Sequence, residues 1–155
     1  MEQIVIRAAR PEDYPAVEAI MRQVQQLHID WRPDIYRPVA VVMPPEKFEA
    51  SAANQLLFVA ELDGVVAGVM ELLRRHVAVP HMVERKVLFI ETMAVDERCR
   101  GRGVGHAFFD HLKAIKEAEG LDGIELQVNA RNGQAIEMYT HYGFRPKSIN
   151  MELPG

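Results

Sequence analysis

Cysteine is nearly absent: Cys99 stands alone among 155 residues, which rules out a disulfide within the chain and fits a reducing compartment. No apolar run approaches the roughly 20 residues that cross a bilayer. The opening M-E-Q-I-V-I-R lacks the basic start and apolar core of a secretory leader. Positive charge is not in excess either. A formal net charge of -4 argues against a nucleic-acid partner, which calls for a basic face. The six histidines form no i, i+4 pair and no Cys/His cluster, so no metal site is expected. Internal repeats, low-complexity tracts and linkers are missing as well. What remains is one cytoplasmic domain over 1–155, without membrane or nucleic-acid partners. At 48% apolar and 26% charged residues it has an ordinary globular composition and is long enough for a real core.

The chain is organised around Val87–Gly105. V-L-F-I-E-T-M-A-V reads as the longest strand, D-E-R-C follows, and R-G-R-G-V-G opens an amphipathic helix near Val104. A strand entering a glycine-rich turn and then a helix N-terminus outlines a phosphate site. First-turn N–H groups have no intrahelical partner, and the helix dipole adds about half a positive charge there. Gly101, Gly103 and Gly105 let backbone approach an anion, and Arg98, Arg100 and Arg102 bring cations to the same mouth. Two common phosphate motifs are excluded by spacing. His106 stands where a G-x-G-x-x-G fingerprint needs its third glycine, and no Lys-Ser or Lys-Thr follows as in a P-loop. The pattern is R-x-x-G-x-G, on Arg100, Gly103 and Gly105, behind a strand ending M-A-V. It resembles the acetyl-CoA signature of the GNAT superfamily of N-acetyltransferases.

The rest of the chain reads as alternating strands and helices. Gln3–Ala8 is a first strand. Pro11, Glu12 and Asp13 open a helix with Val17, Ile20, Met21, Val24 and Leu27 at three- and four-residue steps. His28–Pro38 is expected as a loop because Pro33 and Pro38 disfavour helix before them, and Pro44–Asn54 as a short second helix. Leu56–Glu61 and Val65–Leu73 flank Leu62-Asp63-Gly64, a hairpin signal. His76–Arg85 reads as a loop, and the third helix buries Val104, Phe108, Leu112 and Ile115 before Gly120. Ile124–Val128 is a strand, Asn132–Tyr142 a helix capped by Gly143, and Phe144–Leu153 an extended segment of one or two short strands. The expected fold is α/β (α+β), a mixed central sheet of about six or seven strands flanked by four helices. That order resembles GNAT over nearly the whole chain.

A second motif strengthens the resemblance: Asn132, Ala135, Tyr139 and Tyr142-Gly143-Phe144 are similar to the family's N-x-x-A…Y-x-x-x-G-F segment. The resemblance implies acetyl-CoA as co-substrate. It places the pantetheine arm on the backbone of Met93, Ala94 and Val95. The pyrophosphate falls on the turn amides of Arg100, Gly101, Arg102, Gly103, Val104 and Gly105, with further contacts from Asn132, Ala135 and Tyr139. It further implies direct transfer in a ternary complex, Tyr139 as the acid that protonates the departing thiolate, and a strand bulge, expected around Thr92–Ala94, that frees an N–H for the thioester oxygen. A homodimer is compatible with the family. The acceptor is expected to be a small-molecule or peptide primary amine.

Three further readings come from the residues themselves. An alkyl amine with a pKa of about 10.4 is neutral in about one molecule in 2,500 at pH 7, a cost near 4.6 kcal/mol, so a base is useful. Glu91, which interrupts an apolar strand, is the candidate; a structural carboxylate is its other reading. The resemblance leaves a water relay as the alternative to it, and His28 and His81 are further candidate bases. His28, Asp30, Trp31 and Tyr36 would make a cation-friendly, partly aromatic acceptor wall, or else a loop packed for rigidity. Cys99 lies between two arginines that favour its thiolate, whereas direct transfer leaves it no role. A non-catalytic acyl-CoA sensor on the same fold is the alternative to an enzyme.

Overall fold

The computed structural model describes residues 3–155. Alternating Ile4 and Ile6 form β1 (Ile4–Ala8), which pairs antiparallel with β2 (Leu57–Leu62). β2 turns into β3 (Val65–Val77) through Asp63 and Gly64, at φ 52 and 81. Two positive φ values are what a two-residue hairpin with the strands' own twist demands. β3 pairs antiparallel with β4 (Arg85–Val95), and β4 pairs parallel with β5 (Gly123–Leu126), in the order β1-β2-β3-β4-β5. The parallel step requires a crossover, and α3 (Val104–Glu119) supplies it.

Each face of the sheet carries its own apolar layer. α1 (Tyr14–Trp31) and α2 (Pro45–Ala53) cover one face, where Val17, Ile20, Met21 and Phe48 meet Leu57, Val59 and Val69. α3 covers the other with Phe108, Phe109 and Leu112 on Met70, Leu72, Leu88 and Ile90, and α4 (Gly133–His141) borders that cluster through Met138 and Tyr139. The α/β class and the four helices agree with the sequence reading; the strand count does not. Residues 144–155 form no strand, leaving five among the described residues. β3 runs on to Val77 rather than Leu73, and β5 ends at Leu126 rather than Val128.

The first helix also outlasts its expected end. Pro33 constrains only Arg32, which sits at φ -141 and ψ 70, so helix persists through Trp31 and Arg32 N–H still bonds His28 O at 2.8 Å. The start of α1 is locked to β1 by buried Asp13. Its oxygens accept from Arg7 at 2.7 and 2.9 Å and from Arg10 N–H at 2.7 Å, while Arg7 Nε also reaches Glu61 at 2.8 Å.

Gly68 on β3 lies directly beneath the first turn of α3. A Cβ there would stand 3.0 Å from Ala94 O, the Phe108 ring and a Val104 methyl at once. Gly68→Val should cost about 1–3 kcal/mol by overpacking, read as an earlier denaturant midpoint with an unchanged slope.

Candidate active site

The site begins with a slip in register. Glu71 faces Thr92, yet Leu72 faces Ile90, so β4 advances two residues while β3 advances one. Glu91 is therefore the extra residue of a β-bulge, one position before the expected 92–94. On its other side β4 pairs with β5 only from Val87↔Gly123 to Ile90↔Leu126. Past Ile90, among the described residues, β4 has a ladder partner on β3 alone. Residues 91–95 thus carry backbone groups that have no ladder partner on the β5 side. Met93 and Val95 border the α3 layer, and Ala94 borders the α1 layer.

At the end of β4 the chain is pinned before it turns. Asp96 N–H bonds Ala67 O at 2.8 Å and Glu97 N–H bonds Gln23 Oε1 of α1 at 3.1 Å. The buried Asp96 carboxylate accepts from Arg98 N–H at 3.0 Å and from its Nε and Nη2 at 3.2 and 3.0 Å. Those bonds from Arg98 hold the Asp96 carboxyl down at about 2. Arg98 is consequently drawn to Asp96, which corrects its expected place at the anion mouth. Arg100 and Arg102, on either side of Gly101, are both exposed. Gly101 and Gly103 adopt φ 76 and 91, a left-handed geometry that only glycine takes at low cost and that turns successive amides inward. Val104 starts α3 immediately afterwards. A Cβ on Gly101 would meet nothing within 4 Å, and one on Gly105 only Met138 Sδ at 3.8 Å.

α4 packs against the same apolar cluster as Met93 and Val95, through Met138 and Tyr139. Asn132 caps it, Oδ1 accepting from Ala135 N–H at 3.1 Å. Tyr139 holds its ring edgewise to Phe109 and Phe144, at 5.7 and 5.5 Å, with burial pushing its phenol up to about 12. Its hydroxyl hydrogen-bonds to no described residue, so the proton is retained at neutral pH and uncommitted.

Glu91 departs from expectation. Its side chain is exposed and makes no hydrogen bond or ion pair with a described residue, so the apolar surroundings read from the sequence are not there. A charge in an apolar strand is explained by the bulge, which turns that residue out of the alternation. Within the sheet the buried carboxylate is instead Glu71, which sequence reasoning missed. It accepts from Ser51 Oγ at 2.8 Å, with Lys47 Nζ at 3.8 Å. Its signal was the same as that of Glu91, a charge inside V-M-E-L-L.

Three of the four acceptor-wall residues come together. The His28 ring stacks on Tyr36 at 4.8 Å and meets Trp31 edgewise at 5.8 Å; burial lowers the His28 pKa. Asp30 does not join them: it is exposed and bound by Gln26 at 2.9 Å. Arg131, just before α4, donates to Trp31 O, which joins this aromatic cluster to the start of α4. His81 is exposed in the loop between β3 and β4, and Cys99 is half-buried against the α3 layer. Among the described residues no group of three or more His, Cys, Asp or Glu could hold a metal ion, and no helix is long and apolar enough to cross a membrane.

Residues 21–144 match the Acetyltransferase (GNAT) family. The chain belongs to that family. Among curated relatives, a mycothiol acetyltransferase from Beutenbergia cavernae is 35% identical over 63 residues, 41% of this chain and 21% of that one. An uncharacterized N-acetyltransferase, MJ1207, from Methanocaldococcus jannaschii is 32% identical over 71 residues, 46% and 31% of the two chains. This GNAT chain thus spans a minor part of the curated relatives it matches. By contrast, the BH1408 protein from Bacillus halodurans, solved as a tetramutant, superposes over 97% of this chain and 99% of its own, with 30% identity and a TM-score of 0.87. An aminoglycoside N-acetyltransferase, AAC(6')-Iy, solved in complex with CoA, shares the fold at a TM-score of 0.71, with 16% identity over 97% and 98% of the two chains.

Proposed function

We propose that this GNAT protein is an N-acetyltransferase that moves the acetyl group of acetyl-CoA directly to a primary amine of a small molecule or peptide. The observation that carries the reading is the β4 edge past Ile90. It has no ladder partner on the β5 side, lies beside the Glu91 bulge, and ends in a turn with two left-handed glycines at a helix N-terminus. An extended amide-bearing arm fits the unpaired edge at Met93, Ala94 and Val95. A pyrophosphate fits the amides of Gly101, Gly103, Val104 and Gly105, with Arg100 and Arg102 beside it, and Asn132 and Ala135 border the arm from α4.

The chemistry follows from the same residues. A backbone N–H released at the bulge would stabilise the developing oxyanion. Glu91, directly or through water, would accept the amine's proton. Tyr139 would return a proton to the departing thiolate. A phenol near 12 faces a thiol whose ordinary pKa is about 8.5, an uphill transfer in isolation. The burial that raises the phenol also raises a thiol beside it, so the gap between the two narrows there. His28, Trp31 and Tyr36 would present the aromatic face on which the acceptor rests.

Gly105→Glu tests the binding half. The protein should fold, since the new Cβ makes only an ordinary contact, and calorimetric titration should show no measurable acetyl-CoA binding. Unchanged affinity would remove the basis of the reading. Glu91→Gln tests the base: with an accepted amine, found by screening for CoA release, the acidic limb of the pH–rate profile should disappear. If that limb persists, Glu91 is not the base. The exposure of Glu91 favours one second reading, an acyl-CoA sensor without turnover; it predicts binding but no CoA release with any amine.

A further inference from the structure

Glu71 is buried in the sheet with only one of its two oxygens hydrogen-bonded to a described residue. Its strand partners are Leu57 on β2 and Thr92 on β4. Cross-strand partners share a face, and Leu57 belongs to the layer under α1 and α2, so Glu71 points at α2. There Ser51 Oγ donates to Oε2 at 2.8 Å. Oε1 faces Lys47 Nζ, one turn earlier on the same side of α2, at 3.8 Å. That separation is too long for a hydrogen bond, and the lysine side chain is 57% exposed. A primary amine thus stands loosely against a buried carboxylate next to the β4 bulge. Thr92 follows Glu91 directly, and one strand spacing of about 4.8 Å separates β3 from β4. The other edge of β4 is the one left unpaired past Ile90.

We propose that Lys47 is a site at which the protein acetylates itself, its amine taking the acetyl group of acetyl-CoA held along the β4 edge. The inference rests on the acetyl-transfer reading above. The Lys47 ammonium gives one proton to Glu71 Oε1, directly or through water, and Nζ attacks the thioester carbonyl carbon. The N–C bond forms, the C–S bond breaks, and the nitrogen loses its second proton. One of the two protons ends on the CoA sulfur and the other in solvent, so the products are an acetamide, CoA thiol and one proton. A flexible four-carbon stem lets Nζ cross a strand's width without moving α2. Lys147, on the far side of β4, is held more firmly. Both Glu125 oxygens accept from it, at 3.1 and 3.0 Å, and Arg85 shares that carboxylate. Acetylation of Lys47 removes the cation facing Glu71 and leaves the buried carboxylate with Ser51 alone.

Protein incubated with acetyl-CoA and no other amine should gain one acetyl group by intact mass, mapped to Lys47 by peptide analysis. Lys47 should label about tenfold faster, or more, than any of the other four lysines, as proximity dictates. The rate per chain should not change when protein concentration is raised. Lys47→Arg keeps a cation before Glu71 and should gain no label. Gly105→Glu, expected not to bind acetyl-CoA, should gain none either. Label spread evenly over the lysines or placed on Lys147 overturns the proposal. So does a rate per chain that rises with protein concentration, or label retained on Lys47 in Gly105→Glu. A parent that binds acetyl-CoA by calorimetry and stays unlabelled overturns it while leaving transfer to a free amine standing; a parent that binds none overturns both.

Discussion

Tyr139→Phe is expected to lower kcat by 10²–10⁴-fold while leaving acetyl-CoA affinity nearly unchanged, the signature of a lost positioned acid. The substitution removes one oxygen that bonds to no described residue, and it keeps the ring that Phe109 and Phe144 hold edgewise. Folding therefore should not suffer, and the loss can be assigned to chemistry. The elevated phenol, near 12, keeps the proton in place across the working range. No basic limb should arise from Tyr139 below about pH 11. A basic limb that moved or vanished in the phenylalanine variant would show the phenol titrating where it should not. A phenylalanine variant running at the parent rate across pH would end the assignment.

Asp13→Ala carries the largest expected cost in stability, about 3–5 kcal/mol, against native stabilities of roughly 5–15 kcal/mol. Its partner Arg7 is only 15% exposed and loses both of its bonds to Asp13 at once. Arg10 N–H is left without its acceptor too. The bond from Arg7 is the main reason the Asp13 carboxyl lies below its usual range. A carboxylate depressed in the folded state stabilises above its unfolded pKa, about 3.9, and that contribution fades as pH falls through the folded value. The gap in unfolding free energy between parent and variant should thus be full near neutrality and shrink progressively below about pH 4. A gap that is small at pH 7, or constant down to pH 2, would show the network contributing little.

Periodicity and turn chemistry made the helices, β1 to β4 and the glycine turn legible in the sequence, since each is decided by residues near one another. The misses share a different cause. The sequence expectation of a loop at His28 and Trp31 carries the effect of Pro33 too far back along the chain; a proline restrains its immediate neighbour, and the helix runs up to it. Glu71 passed unnoticed because its partners Ser51 and Lys47 lie on another element. Glu91 was noticed, but its exposure depends on a register slip set jointly by two strands. The tail at 148–153 has the alternation of a strand and yet pairs with no described strand.

The short ladder between β4 and β5 has a consequence for how the molecule comes apart. Four residue pairs and no buried side chain attach β5 to the sheet, while β2, β3 and β4 carry most of the fully buried core. Opening free energy scales with such buried contact, so the β5–α4 unit belongs at the low end of the protein's range. Gentle heating should detach the part bearing Asn132 and Tyr139 first, leaving the glycine turn and α3 intact. Acetyl-CoA held by both parts would bind only the closed form and pull that unit back into the cooperative whole.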